Sequence, residues 1–230
     1  MANKQAASHL SERIVDISGP IEDGMWAYDA PYPTPRIEQI PPPDWLQYPV
    51  YSQTVHFAVQ TATYLETAAH MDLNALTIDE LPLERCYRID ALYLSIPKAA
   101  DQAITPEDLD AACAAAGVEP RPREALLVGT GWDSHWNQPD YVTTPPYFTA
   151  AAIDWVLEHD FSLLGADTPR YDSPSNPQNF FPKFFQHDIL LLAPLVNLGA
   201  IRKPRGKLTA LPLKIHKACA SPVRALWIEE

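Results

Sequence analysis

Residues 31–49, PYPTPRIEQIPPPDWLQYP, rule out much of what a domain can be built from. Proline has no backbone N–H and a fixed φ, so it breaks helix interiors and is confined to the edges of sheets. A segment this dense in proline is neither a regular helix nor a central strand. It also carries Tyr32, Trp45, Leu46 and Tyr48, which is too much apolar surface for a simple linker. We read it as an ordered arm that covers something, a neighbouring subunit being one candidate. A homodimer or higher homo-oligomer is therefore expected.

The rest of the chain has stronger secondary-structure signals. Residues 13–21 read as a first strand ended by Gly19-Pro20, and residues 50–60 alternate enough to be another. Residues 77–86 begin with Thr77, a plausible N-cap with Glu80 three positions on, and predict a short helix or turn. The clearest helix spans 105–117, with Thr105 as cap, Pro106 in the first turn and Gly117 as stop. A second helix is predicted over 149–160. Apolar strands are predicted over 88–96, 124–132, 161–169, 187–198, 208–215 and 223–230. Strands and helices alternate only partly, so the expectation is an α/β fold. It would be a mixed β-sheet with packed helices in one domain over residues 1–230, not a Rossmann order.

Composition narrows the partners. Hydrophobic residues make up 47% of the 230, enough for a substantial core. The net charge of −12 argues against nucleic acid and anionic membrane surfaces, which need clustered Lys and Arg. No apolar run approaches the length of a membrane span, and MANKQAASHLSERIVDI lacks the apolar run of a signal peptide. Cys86, Cys113 and Cys219 are far apart and form no CxxC pair, as suits a reducing compartment. A cytoplasmic protein acting on a small molecule is expected.

Common catalytic and nucleotide motifs are absent: no GxGxxG follows the first strand, and there is no GxSxG, P-loop or HExxH. Three segments at strand ends stand out instead: QTATYLETAAH (60–70), GTGWDSHW (129–136) and GADTPRYDSP (165–174). In the first, Gln60, Tyr64, Glu66 and His70 are spaced as a metal site would space its ligands. A turn, or a strand running into a helix, would bring them together. Only Glu66 and His70 are good divalent-metal ligands. A carboxylate four residues before an imidazole can also orient it and raise its basicity; a surface pair on a helix is the alternative. Asp167 and Asp172 either belong to a site or cap the next turn. His56, His135, His159 and His187 stand alone.

These segments together resemble the cyclase superfamily, which includes bacterial kynurenine formamidase, isatin hydrolase and several polyketide cyclases. LLVGTGWDSHW is similar to the family's TGW segment, and YFTAAAIDWVLEHDFSLLGADTPRYDSP to its helix, strand and Gly-x-Asp stretch. LLLAPLVNL and LTALPLKIHKACASPVRAL resemble its closing strands. The resemblance runs from RIVDISGPI to SPVRAL and implies the family's fold.

The family hallmark, H-x-G-T-H-x-D-x-P-x-H, then falls on Gln60 to His70. Gln60 and Tyr64 replace its first two His, Ala62 its Gly, Glu66 its Asp and Ala68 its Pro, while Thr63 and His70 match. A later His and Glu of the family fall on Phe181 and Ala193. The resemblance thus implies an enzyme that has lost most of its metal ligands. No metal or other cofactor is expected. The expected activity is acid/base catalysis on a cyclic or cyclisable small molecule, by ring closure, ring opening or isomerisation, with secondary metabolism as one setting. His70 would be the general acid/base, with Glu66 its partner or the base itself. Tyr64 would donate to a developing oxyanion, and Gln60 would orient the substrate carbonyl. Phe181 would supply an apolar wall, and Trp132 and Asp167 would contact substrate. Two alternatives remain: metal-dependent hydrolysis of an aryl formamide or similar amide, and a non-catalytic descendant that binds a ligand or partner.

Overall fold

A computed structural model describes residues 12–229. Its main sheet has eight strands in the order β1-β12-β11-β5-β7-β9-β10-β4. The ranges are β1 (Arg13–Asp16), β4 (Tyr64–Glu66), β5 (Ile89–Ser95), β7 (Ala125–Gly129), β9 (Leu163–Ala166), β10 (Leu190–Ala193), β11 (Arg205–Pro212) and β12 (Ala220–Glu229). β5, β7, β9 and β10 run parallel. The other pairs in the sheet are antiparallel. β12 pairs with β4 as well as with β11, so the sheet closes on itself and β1 branches from β12. The mixed sheet with packed helices is thus as expected.

Alternation along each strand sorts residues to the two faces. Leu65, Leu127, Leu163, Leu192, Leu208, Ala225 and Trp227 meet on one face and fill the ring. Leu92, Leu94, Leu126, Val128, Leu164, Leu191 and Ala193 lie on the other, under the helices. Those helices are α1 (Pro106–Ala116), α2 (Ala150–Glu158) and α3 (Phe181–Gln186). They bury Leu109, Ile153, Val156 and Phe184 in the same cluster. At α1, Thr105 and Asp108 form a reciprocal capping box and Gly117 takes the left-handed conformation at φ 65°. Thr149 accepts from Ala152 N–H at the start of α2.

Most strands are shorter than the apolar runs that signalled them, while β11 and β12 each begin three residues before the run predicted for them, and four features add to or depart from the sequence reading. First, the proline-rich arm contains a strand, β2 (Arg36–Ile40), paired with β3 (Ser52–His56). This two-stranded sheet is separate from the main one, so every strand is an edge and the prolines need only flank it. The pair is largely solvent-exposed, as are Trp45, Tyr48 and Tyr51 between its strands. Second, of the two forms expected for residues 77–86 the structure takes the turn, with a single 3-10 turn at Leu83–Arg85, because Pro82 restricts the residue before it. Thr77 still engages Glu80 Oε2 through its hydroxyl at 3.0 Å. Third, α3 had no sequence signal beyond Pro182 in its first turn. Fourth, two short strands, β6 (Ala103–Ile104) and β8 (Tyr147–Phe148), pair beside α1 and α2. Among the described residues, no helix is long and apolar enough to cross a membrane. Most of the N-terminal stretch read for a signal peptide lies outside them.

Candidate active site

The segment 60–70 folds back on itself in three steps. Ala62 has φ 53°, a left-handed conformation that costs a non-glycine residue roughly 1–2 kcal/mol. It kinks the chain so that Gln60 returns toward the strand that follows. Its methyl is buried in a cluster with Met25, Trp132, Trp136 and Tyr141, which offsets part of the strain. Thr63, the position that matches the hallmark Thr, anchors the kink: its hydroxyl donates to Pro194 O at 2.5 Å and accepts from Gly19 N–H at 2.9 Å.

β4 then places Tyr64 and Glu66 on one face and Leu65 on the other. Its register sets Glu66 between Leu191 of β10 and Ala220 of β12, deep in the sheet. Thr67 caps the following 3-10 turn, accepting from Ala69 N–H at 3.3 Å, and the turn lifts His70 back over the carboxylate.

The result is a carboxylate held from two sides. Gln60 Nε2 donates to Glu66 Oε1 at 3.0 Å, and His70 Nδ1 lies 3.2 Å from the same oxygen. Neither contact uses Oε2. Glu66 is only 4% exposed, and burial pushes its carboxyl up to about 7 against the opposing hydrogen bond from Gln60. Burial also pushes His70 below its ordinary value. Both groups are thus driven toward their neutral forms, a protonated carboxyl beside a neutral imidazole.

Beside this pair lies a cavity of about 340 Å³. Gln60, Tyr64, Glu66, His70, Phe181 and Ala193 all line it, so the expected site residues of the 60–70 segment share one cavity with the expected apolar wall. Phe181 comes from the start of α3 and Ala193 from β10. Tyr28, Tyr32, Arg170 and Tyr171 complete the walls. Tyr28 OH donates to Pro169 O at 2.7 Å and lies 3.2 Å from Tyr64 OH. Since the Tyr28 proton is used on Pro169, Tyr64 is the donor between the two phenols. Burial raises both phenols far above the range in which they ionise. Arg170 lies 5.3 Å from the Tyr28 ring centre and pairs with Asp29 at 2.7 Å.

Trp132 and Asp167 are placed elsewhere. Asp167 accepts from Thr130 N–H at 2.9 Å, Thr130 OH at 2.7 Å and Gly131 N–H at 2.7 Å. It ties the ends of β7 and β9 together, and burial still raises it to about 6. Trp132 is buried and donates from Nε1 to Tyr141 O at 2.9 Å. Asp172 borders the cavity, but its carboxylate accepts from the N–H groups of Ser173, Gln178 and Asn179, so it organises the loop before α3. Tyr28 and Arg170 were not singled out in the sequence, and Tyr32 only as an apolar residue of the proline-rich arm. Arg170 sits inside the flagged segment 165–174, where its cation was the available signal. Tyr28 precedes the proline-rich arm and carried none.

The metal implied by the resemblance does not fit the positions that would hold it. Gln60 offers a neutral amide and Tyr64 a phenol that burial keeps protonated. Phe181 and Ala193 offer no donor. Of the hallmark positions only Glu66 and His70 remain, short of the three or four protein ligands that hold a divalent ion tightly; the one further donor beside them, the sulfur of Cys219, lies off the hallmark.

Residues 15–173 match the cyclase family, described as "Putative cyclase". The chain is 29% identical over 227 residues to the kynurenine formamidase of Bordetella avium (strain 197N), covering 95% of this chain and 99% of that protein. Its fold is similar to that of an isatin hydrolase bound to the product analogue thioisatinate, with a TM-score of 0.83, 20% identity and coverage of 95% and 92%. It is also similar to isatin hydrolase A from Labrenzia aggregata bound to benzyl benzoate, with a TM-score of 0.82, 21% identity and coverage of 94% and 93%.

Proposed function

The chain belongs to the cyclase family of cyclase- and hydrolase-type enzymes, and from that premise we infer that it works on a small cyclic or cyclisable substrate at an acyl centre or an acidic carbon, without the family metal. Ring opening, ring closure and isomerisation at such a centre all need a proton moved to or from the reacting atom and a developing oxyanion stabilised. One observation carries the reading: a nearly buried carboxyl group, raised to about 7, lies 3.2 Å from an imidazole on the wall of an aromatic cavity. A group near neutral can take up and return a proton at little cost.

In the assignment that fits best, ionised Glu66 is the base, and His70 relays the proton that Glu66 takes up to the leaving or newly formed group. Gln60 holds Glu66 Oε1, so Oε2 faces the task of proton abstraction. Tyr64 donates to the oxyanion by turning its hydroxyl away from Tyr28. The apolar and aromatic walls formed by Tyr28, Tyr32, Phe181 and Ala193 suit a flat, hydrophobic substrate. The named activity of the kynurenine formamidase relatives supports a second reading, hydrolysis of an aryl formamide, in which the same pair would activate water.

Protein stripped with a chelator and assayed in metal-free buffer is expected to keep its turnover on ring-acyl substrates such as cyclic imides, lactams and aryl formamides. Loss of turnover that zinc or manganese restores would overturn the metal-free assignment. Tyr64→Phe is expected to lower kcat by roughly 10²-fold with little change in KM, as removal of an oxyanion donor does. An unchanged kcat would leave Tyr64 as wall only.

A further inference from the structure

Cys219 lies at no position of the hallmark and outside the proposed acid/base machinery, yet the fold brings it to the Glu66–His70 pair. It immediately precedes Ala220, the register partner of Glu66. Its carbonyl is clamped by Thr67, which donates from N–H at 2.9 Å and from its hydroxyl at 3.2 Å. Its sulfur lies 3.5 Å from Gln60 Nε2. One donor atom each from Glu66, His70 and Cys219 lie within 4.8 Å of one another.

We propose that these three residues form a site for a thiophilic divalent cation, and that a bound cation disables the acid/base pair. The donor set is one carboxylate, one imidazole and one thiol. Tetrahedral zinc with bonds of roughly 2.0–2.3 Å holds its donors roughly 3.3–3.6 Å apart, so a separation within 4.8 Å must close by about 1.5 Å at most, within reach of side-chain rotation. The sulfur selects the zinc and cadmium class over magnesium, calcium and manganese, which prefer all-oxygen sites. Coordination sends the thiol proton, and any proton on the Glu66 carboxyl, to solvent and leaves a fourth position for water. It also occupies the Glu66 oxygen and the His70 nitrogen between which the relayed proton moves. The loss of turnover rests on the acid/base reading; the coordination itself does not.

The test uses metal-stripped full-length protein. Titration with Cd²⁺ alone is expected to raise the ultraviolet sulfur-to-cadmium charge-transfer band, saturating at one ion per chain. Cys219→Ser should abolish the band, while Cys86→Ser and Cys113→Ser, at buried thiols outside the cluster, should keep it. Titration with Zn²⁺ alone should suppress parent turnover. Cys219→Ser should equal the parent in turnover without metal but need roughly 10–100-fold more zinc for the same inhibition, at least the loss seen when a metal's supporting residue is removed. No band at stoichiometric cadmium, or a band that survives in Cys219→Ser, overturns the site. Zinc that leaves turnover untouched while the band forms overturns its inhibitory role. Stripped protein that is inactive until zinc is added overturns both that role and the metal-free reading, with the coordination intact.

Discussion

Glu66→Gln is expected to fold, to be at least as stable as the parent at pH 8, and to be nearly inactive. The substitution keeps the size of the side chain and an oxygen to accept from Gln60 Nε2 and His70. It removes the ionised form. Burial raises the Glu66 carboxyl from an ordinary 4.5 to about 7, so between those values the folded state holds a proton that the unfolded state has lost. Stability from this group is therefore complete below about pH 4.5 and falls as pH rises through about 7. A gap of this size corresponds to about 3 kcal/mol at most, and the Gln variant escapes the loss. Melting temperatures of the two proteins should match near pH 4.5 and separate in favour of the variant by pH 8. Turnover should move the opposite way, falling roughly 10²–10⁴-fold with KM little changed, as loss of a general base requires. The parent's kcat/KM should rise with pH through about 7, and that limb should be missing from the variant. A variant that is destabilised at pH 8 yet keeps its turnover per folded molecule would show that Glu66 serves the fold alone.

His70→Ala should lose activity on a similar scale, roughly 10²–10⁴-fold, without loss of the fold. The imidazole is about one-third exposed at the cavity wall, and its ring centre is 6.0 Å from that of Phe185, so its removal leaves little buried void. The stability change is expected to stay within about 1 kcal/mol. A purely structural role predicts no response to added imidazole. A proton carrier predicts that free imidazole, entering the space left at the cavity, restores part of kcat in His70→Ala and none in Glu66→Gln. Unchanged turnover in a folded His70→Ala would remove His70 from the chemistry.

Much of the site is legible in the amino-acid sequence because it is local. Gln60, Tyr64, Glu66 and His70 sit within eleven consecutive residues, and a strand followed by one helical turn is enough to bring their side chains together. Periodicity of two explains why Tyr64 and Glu66 share a face, and Thr67 supplies the cap that turns the chain back. The two main helices are equally readable, since Thr105, Pro106, Gly117 and Thr149 act through their own turn of backbone. Trp132 and Asp167 also draw attention for a sound local reason, their place at the end of buried β7 and β9. Whether such a side chain opens to a cavity or turns inward depends on what is packed over it. Here the backbone amides of Thr130 and Gly131 capture Asp167, and Tyr141 captures Trp132.

The sequence by itself therefore determined the fold class through short-range patterns of polarity, caps and spacing, and the family through the resemblance of its segments, and it singled out the segment that lines the cavity. Only the tertiary structure decided that Tyr28 donates to Pro169 while Tyr64 donates to Tyr28, that α3 forms and presents Phe181 to the cavity, and that Cys219 stands beside Glu66. The last of these joins residues more than 150 positions apart through the pairing of β12 with β4. Closing the sheet sets that register, and closure is a property of all its strands at once, with no signature in any one of them.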